Sequence, residues 1–270
     1  MDFLRLGQVH KILPEYSPTA FKGLQQTCSC LHLSWVIIIS CRLGAECRSK
    51  TSWSCPNTLI YEHRLKCGTQ GVARAVLELP NWDELASYVK EIATDVADNW
   101  LLDALVPSRP VVFLDTDGVP APETRSEHLV SNETEALLVH QLACALLKAG
   151  LPPSSLGIIS PYRHQLKLIT QIFHRDANSK QNEIEINTVD KYQGRDKACI
   201  IVSLVRSNEN SNVGDLLRDW RRVNVAVTRA KQKLILIGSL VTLKGSLLLQ
   251  ETIRLVGEKR LGTSSSFRCA

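Results

Sequence analysis

Residues 156–165 read LGIISPYRHQ, and residues 183–204 read EIEINTVDKYQGRDKACIIVSL. Each holds a short apolar run followed by polar residues. Leu156–Ser160 is a strand that hands over to a helix at about Tyr162–Asp176. Glu183–Ile186 is a second short strand, and Ala198–Leu204 is a fully apolar third. A helical stretch through Trp220–Ala230 leads to the apolar run Leu234-Ile-Leu-Ile237. Strands apolar on both faces, alternating with helices, predict a parallel sheet covered on both sides. The fold class is therefore α/β.

The pattern extends upstream. Trp82–Asn99 has helical spacing, with Leu85, Val89, Ile92 and Val96 on one face. Pro110–Asp115 is a strand closed by the Asp115-Thr-Asp-Gly118 turn. A helix follows, with Asn132 as its cap, Glu135 in the capping-box position and Gly150 beyond its last apolar turn. Residues 21–56 lack a sustained period and read as irregular, apart from Trp35–Ile39, an apolar run of buried-strand type.

No run of about 18 apolar residues occurs, and the first residues lack the pattern of a secretory signal. The expected setting is intracellular, with reduced thiols and no membrane partner. Six of the nine cysteines fall between Cys28 and Cys67, but their spacing is irregular and the closest pair has one residue between. That spacing favours reduced thiols over a metal centre. Charge is uneven. From Leu151 onward 19 Lys and Arg face 10 Asp and Glu, a net of +9, whereas residues 1–150 carry a net of −4. A basic half suits a polyanion, although a solvated surface explains the charge equally well.

Ligands of parallel sheets collect at the carboxyl ends of the strands. Three polar clusters are expected to share such a rim: Ser160–Gln165, Asn187–Asp196, and Arg221–Lys231 just before the last strand. Order and spacing of Pro161-Tyr-x-x-Gln165, Thr188-x-Asp-x-x-Gln-Gly-x-Asp196 and Val225-Ala-x-Thr-Arg-Ala230 resemble the second motor domain of Upf-like superfamily 1 helicases, over roughly residues 107–240. Phe113–Glu123 and Asp219–Asn224 are similar to the branch of combined DNA replication helicases and nucleases, rather than to the RNA-decay members.

The resemblance implies a RecA-like lobe over residues 57–245, then a C-terminal helix and tail over 246–270. Residues 1–20 resemble a remnant of the first lobe. The expected activity is that of an ATP-dependent 5′-to-3′ DNA helicase of replication and repair. Its partners would be single-stranded DNA and replication or repair proteins, and its location the nucleus or mitochondrion. Arg229 would be the arginine finger, because a guanidinium stays charged and forks onto γ-phosphate oxygens. By the residue alone, it would sooner be an arginine that neutralises a helix terminus, and the surrounding motif reverses that order. Gln193, Gly194 and Asp196 would join it at the nucleotide, with Asp196 orienting water or pairing with an arginine such as Arg222. The plain alternative for these residues is a polar turn. Ser160, Pro161, Tyr162, Gln165 and Thr188 would touch the phosphates of the strand. Tyr162 would either stack on a base or serve as a core aromatic.

ATP with Mg²⁺ would be held mainly by the first lobe. No G-x-x-x-x-G-K-[ST] loop occurs in this sequence, nor do the first-lobe elements expected upstream. The nuclease domain and its iron–sulfur cysteines have no match here either, so no cluster is expected. The chain reads as a shortened product, incompetent as a motor alone. The alternatives are a non-catalytic module that binds single strands or a partner, and an RNA helicase of the same superfamily.

Overall fold

A computed structural model describes residues 37–40, 75–92, 100–126, 129–175, 183–192 and 194–258. Eight strands are found there: β1 (Ile37–Ser40), β2 (Val111–Asp115), β3 (Thr124–Ser126), β4 (Leu129–Ser131), β5 (Leu156–Ser160), β6 (Glu185–Thr188), β7 (Lys197–Ser203) and β8 (Ala230–Gly238). The helices are α1 (Trp82–Ile92), α2 (Trp100–Leu105), α3 (Glu133–Lys148), α4 (Arg163–Arg175), α5 (Asp215–Arg218), α6 (Trp220–Thr228), α7 (Leu240–Leu243) and α8 (Leu247–Glu258).

The main sheet has the order β1-β2-β8-β7-β5-β6. β2, β8, β7, β5 and β6 run parallel, as expected. β1 adds an antiparallel edge, with Ile37 opposite Asp115. Ile37–Ile39 of the apolar run are therefore strand, as read, and Ser40 extends it by one residue; Trp35 and Val36 lie outside the described residues. So does the rest of residues 21–56.

Alternation along the strands divides the core in two. Val112, Leu114, Ile158, Ile201 and Ile235 face a layer that includes Leu85, Leu138, Leu142 and Ile169 of α1, α3 and α4. Val111, Phe113, Ile159, Ile200 and Leu234 face Val223, Val227 and Leu249 of α6 and α8. Helices thus cover both faces, which is why the strands are apolar at nearly every position. None of the described helices is long and apolar enough to cross a membrane.

Helix ends follow the sequence signals. Asn132 caps α3 by accepting from the Glu135 backbone N–H at 2.9 Å. At the other end Gly150 takes φ +92°, its N–H donates to Leu147 and that of Leu151 donates to Leu146. This pair of bonds is the Schellman arrangement, which needs a left-handed residue at that position. A Cβ on Gly150 would also press on Pro80 at 3.0 Å.

Two boundaries moved. β6 starts two residues later than expected and runs to Thr188, because Ser160 pairs with Thr188 at the sheet edge. β8 starts at Ala230, four residues before its apolar run, since Lys197 pairs with Ala230 and Cys199 with Lys233. Lys233 is fully buried there, and its ammonium donates to the carbonyls of Val106 and Arg109 at 3.0 and 2.8 Å. Helix α1 buries Leu85 and Val89 as expected. Val96 lies outside the described residues.

Candidate nucleotide and nucleic-acid site

The three polar clusters do not share one rim. Ser160 ends β5 and Thr188 ends β6, at the carboxyl edge. Asp196 immediately precedes β7 and Arg229 immediately precedes β8, at the amino edge. The expectation of a single composite rim is corrected for a topological reason. Parallel strands are all entered from the same edge, so a segment that follows one strand and leads into the next must cross the sheet.

At the amino edge Arg229 forms the C-cap of α6. Its Nη1 lies 2.9 Å from Oδ1 of Asp196, and its Nε donates to the Val225 carbonyl at 3.2 Å. The guanidinium therefore sits at a helix end, as the plainer reading had it, and pairs there with the carboxylate of Asp196. The Arg229 side chain is 20% exposed and that of Asp196 is 42% exposed. Asp196 was expected to orient water or to pair with an arginine such as Arg222; its arginine is Arg229, and Arg222 lies 3.3 Å from Asp190 and 3.9 Å from Asp219. The reason is again the edge: Arg222 is near the start of α6, and Asp196 is near its end.

Further charges crowd this edge. Glu185 is held by Arg195 at 2.6 Å and Lys197 at 3.3 Å. Burial raises the Glu185 pKa and the two cations lower it by more, so the carboxyl ends below its usual range. Gly194 takes φ +80°, and nothing lies within 4 Å of where a Cβ would stand. The glycine is needed for its backbone, and the space above it is open to a ligand. Gln193 lies outside the described residues.

The carboxyl edge is different in kind. Gln165 is fully buried; its amide donates to the Asn132 carbonyl and to Ser203 Oγ, and its oxygen accepts from the Asn132 N–H at 2.8 Å. Ser160 is fully buried too, and its hydroxyl accepts from the Tyr162 N–H at 3.3 Å. Tyr162 packs with Val130, Val205 and Leu216, which is the core-aromatic alternative. Its hydroxyl and the Arg206 guanidinium fill the space that a side chain on Gly214 would occupy. Pro161 and Thr188 are half-buried.

The partners of Glu135 differ from the sequence reading. The capping-box position predicted a carboxylate reaching back to its own helix start. Instead Oε2 accepts from Ser203 Oγ at 2.7 Å and from the Val205 N–H at 2.9 Å. Burial raises its pKa to about 8 against these hydrogen bonds. The contact holds Val205 at φ 71°, a conformation costly for a β-branched residue. Beyond this turn Arg206 Nε meets Glu123 Oε2 at 2.7 Å, with both side chains nearly excluded from water. No short-range sequence signal announces these pairings, whose members lie 68 to 83 residues apart.

Parallel strands under two helical layers define an α/β fold of the RecA-like kind. Residues 43–241 match the family described as AAA domain, and the chain belongs to that family. Among individual proteins it is similar to the DNA replication ATP-dependent helicase/nuclease DNA2. Identity is 51% over 192 residues to the Mus musculus protein, covering 71% of this chain and 18% of the relative. It is 44% over 228 residues to the Homo sapiens protein, covering 84% and 20%. It is 45% over 188 residues to the Saccharomyces cerevisiae protein, covering 69% and 12%. The chain is thus DNA2-like in sequence and spans about a fifth or less of these relatives' length.

Proposed function

We propose that this chain is the second motor lobe of an ATP-dependent 5′-to-3′ DNA helicase of replication and repair, working in the nucleus. In this reading Arg229 is the arginine finger, with Gln193, Gly194 and Asp196 beside the nucleotide. Pro161 and Thr188 contact single-stranded DNA, and Ser160, Tyr162 and Gln165 shape that edge from beneath. The observation that carries the reading is the Arg229–Asp196 pair. A guanidinium already facing an anion at an open edge can exchange that anion for a γ-phosphate, where such arginines contribute on the order of 10³–10⁵ in rate. The placement of strand contacts and nucleotide contacts on opposite edges lets one lobe serve both ligands at once.

ATP and Mg²⁺ would be bound mainly by a first lobe, because the phosphate-cradling loop is missing from this sequence. That is the reason to expect no turnover from the chain alone. The test is ATP hydrolysis by the purified chain with single-stranded DNA, alongside strand binding at several salt concentrations. Weak, salt-sensitive binding without turnover is expected. Turnover that Arg229→Ala abolishes would overturn the inactivity while supporting the role of Arg229. Absence of binding even at low salt would refute the strand contacts.

A further inference from the structure

Trp220 stands out on the surface. It is the first residue of α6, and 47% of it is exposed, although burying an aromatic of this size is normally among the larger gains of folding. The Arg221 guanidinium carbon lies 5.3 Å from the ring centroid, within cation–π range. The neighbouring cations are engaged: Arg218 lies 3.6 Å from Asp215, and Arg222 is held by Asp190 and Asp219. Arg221 has no ion pair among the described residues and so remains available to an anion.

The position of this pair is informative. Arg222 reaches Asp190, two residues beyond Thr188 at the end of β6. Leu216, Leu217, Arg222 and Val223 line one small apolar cavity together with Pro161. The start of α6 therefore belongs to the same carboxyl edge as Pro161 and Thr188, with Leu216 both lining this cavity and packing on Tyr162's buried ring. We propose that Trp220, backed by Arg221, is a stacking platform for an unpaired base of single-stranded DNA. Stacking supplies affinity without reading sequence, because every base has a π-face, and Arg221 meets an adjoining phosphate. The burial of Tyr162 leaves that edge without the aromatic that the sequence suggested, and Trp220 fills the role. This inference rests on the strand-contact part of the reading above.

The experiment titrates the full chain with oligothymidylate, following fluorescence anisotropy of a labelled strand and the intrinsic tryptophan emission. Trp220→Ala should weaken binding about tenfold, within what one base–aromatic stack contributes. It should leave the salt dependence unchanged, because stacking releases no counterions. Arg221→Ala should lower the slope of log affinity against log salt by roughly one. Trp220→Phe should retain most of the affinity while losing the emission quench that the natural chain shows. Because Trp220 sits on the surface at a helix start, circular dichroism of all variants should match the natural chain. If Trp220→Ala binds like the natural chain, the platform is refuted and the strand-contact reading stands. If the natural chain does not bind the oligonucleotide at all, both fall.

Discussion

The two edges of the sheet hold similar residue types under opposite physical conditions. At the carboxyl edge Asn132, Gln165, Ser203, Glu135 and Arg206 are buried, the Glu123 side chain is only 9% exposed, and hydrogen bonds fix each of them. At the amino edge Arg229, Asp196, Arg195 and Glu185 pair in partial contact with water. A charge pair in water contributes little and is readily exchanged, whereas a buried pair cannot lose a member without leaving the other stranded. The difference separates a permanent scaffold from a site whose partners can change, and the exchangeable edge is where a phosphate would have to enter.

The sharpest way to break this contrast is at the buried pair. Arg206→Met should lower stability by about 3 kcal/mol, at the lower end for a broken buried pair. The lower end applies because Glu123 keeps the Ser207 and Asn208 donors. Chemical denaturation measures it, and adding Glu123→Gln to Arg206→Met should recover part of the loss. A loss below about 1 kcal/mol would make this edge no different from the other.

Next in size is a pH effect at Glu135. Its folded pKa of about 8 lies above the ordinary 4.5, so the folded state keeps a proton that the unfolded chain releases. The associated stability is full below about 4.5 and is lost as pH rises toward about 8, with a slope of up to about 1.4 kcal/mol per unit. Burial raises Asp115 to about 6, which adds a slope of the same sign at lower pH. Lys233, lowered to about 7 by burial, changes stability only above that value and with the opposite sign. Denaturation of the natural chain and of Glu135→Gln from about pH 5 to 7 should therefore differ in slope by up to one proton. Equal slopes would mean that Glu135 is ionised and hydrated.

What the sequence made legible follows the same division. Continuous apolar runs placed β2 and β5 to within a residue, because strands covered on both faces are apolar nearly throughout. Lys233 shortened the reading of β8, because a buried lysine satisfied by two carbonyls looks like surface in a sequence. The motif residues were found, yet their assignment to one edge was not correct, since spacing along the chain carries no record of which way a segment crosses the sheet. Gln165 reads as a surface amide, and only contact with Asn132, 33 residues earlier, shows it to be interior. Glu135 misled for a related reason: a local capping rule competes with a distant partner, and in a buried setting the distant one won.

The smallest expected effect is the most informative about the exchangeable edge. Asp196→Asn keeps the shape and an acceptor oxygen beside Arg229 while removing the charge. A pair in partial contact with water contributes about 1 kcal/mol, so the unfolding midpoint in denaturant should move little. Arg229 also retains its bond to the Val225 carbonyl, which fixes the stem independently of the carboxylate. The guanidinium would then stay where it is with no competing anion, and a phosphate would no longer have to displace Asp196. If the midpoint instead falls as far as it does for Arg206→Met, the pair is structural. Arg229 would then be anchoring the end of α6 to the start of β7, and the edge would lose its claim to be the one where partners change.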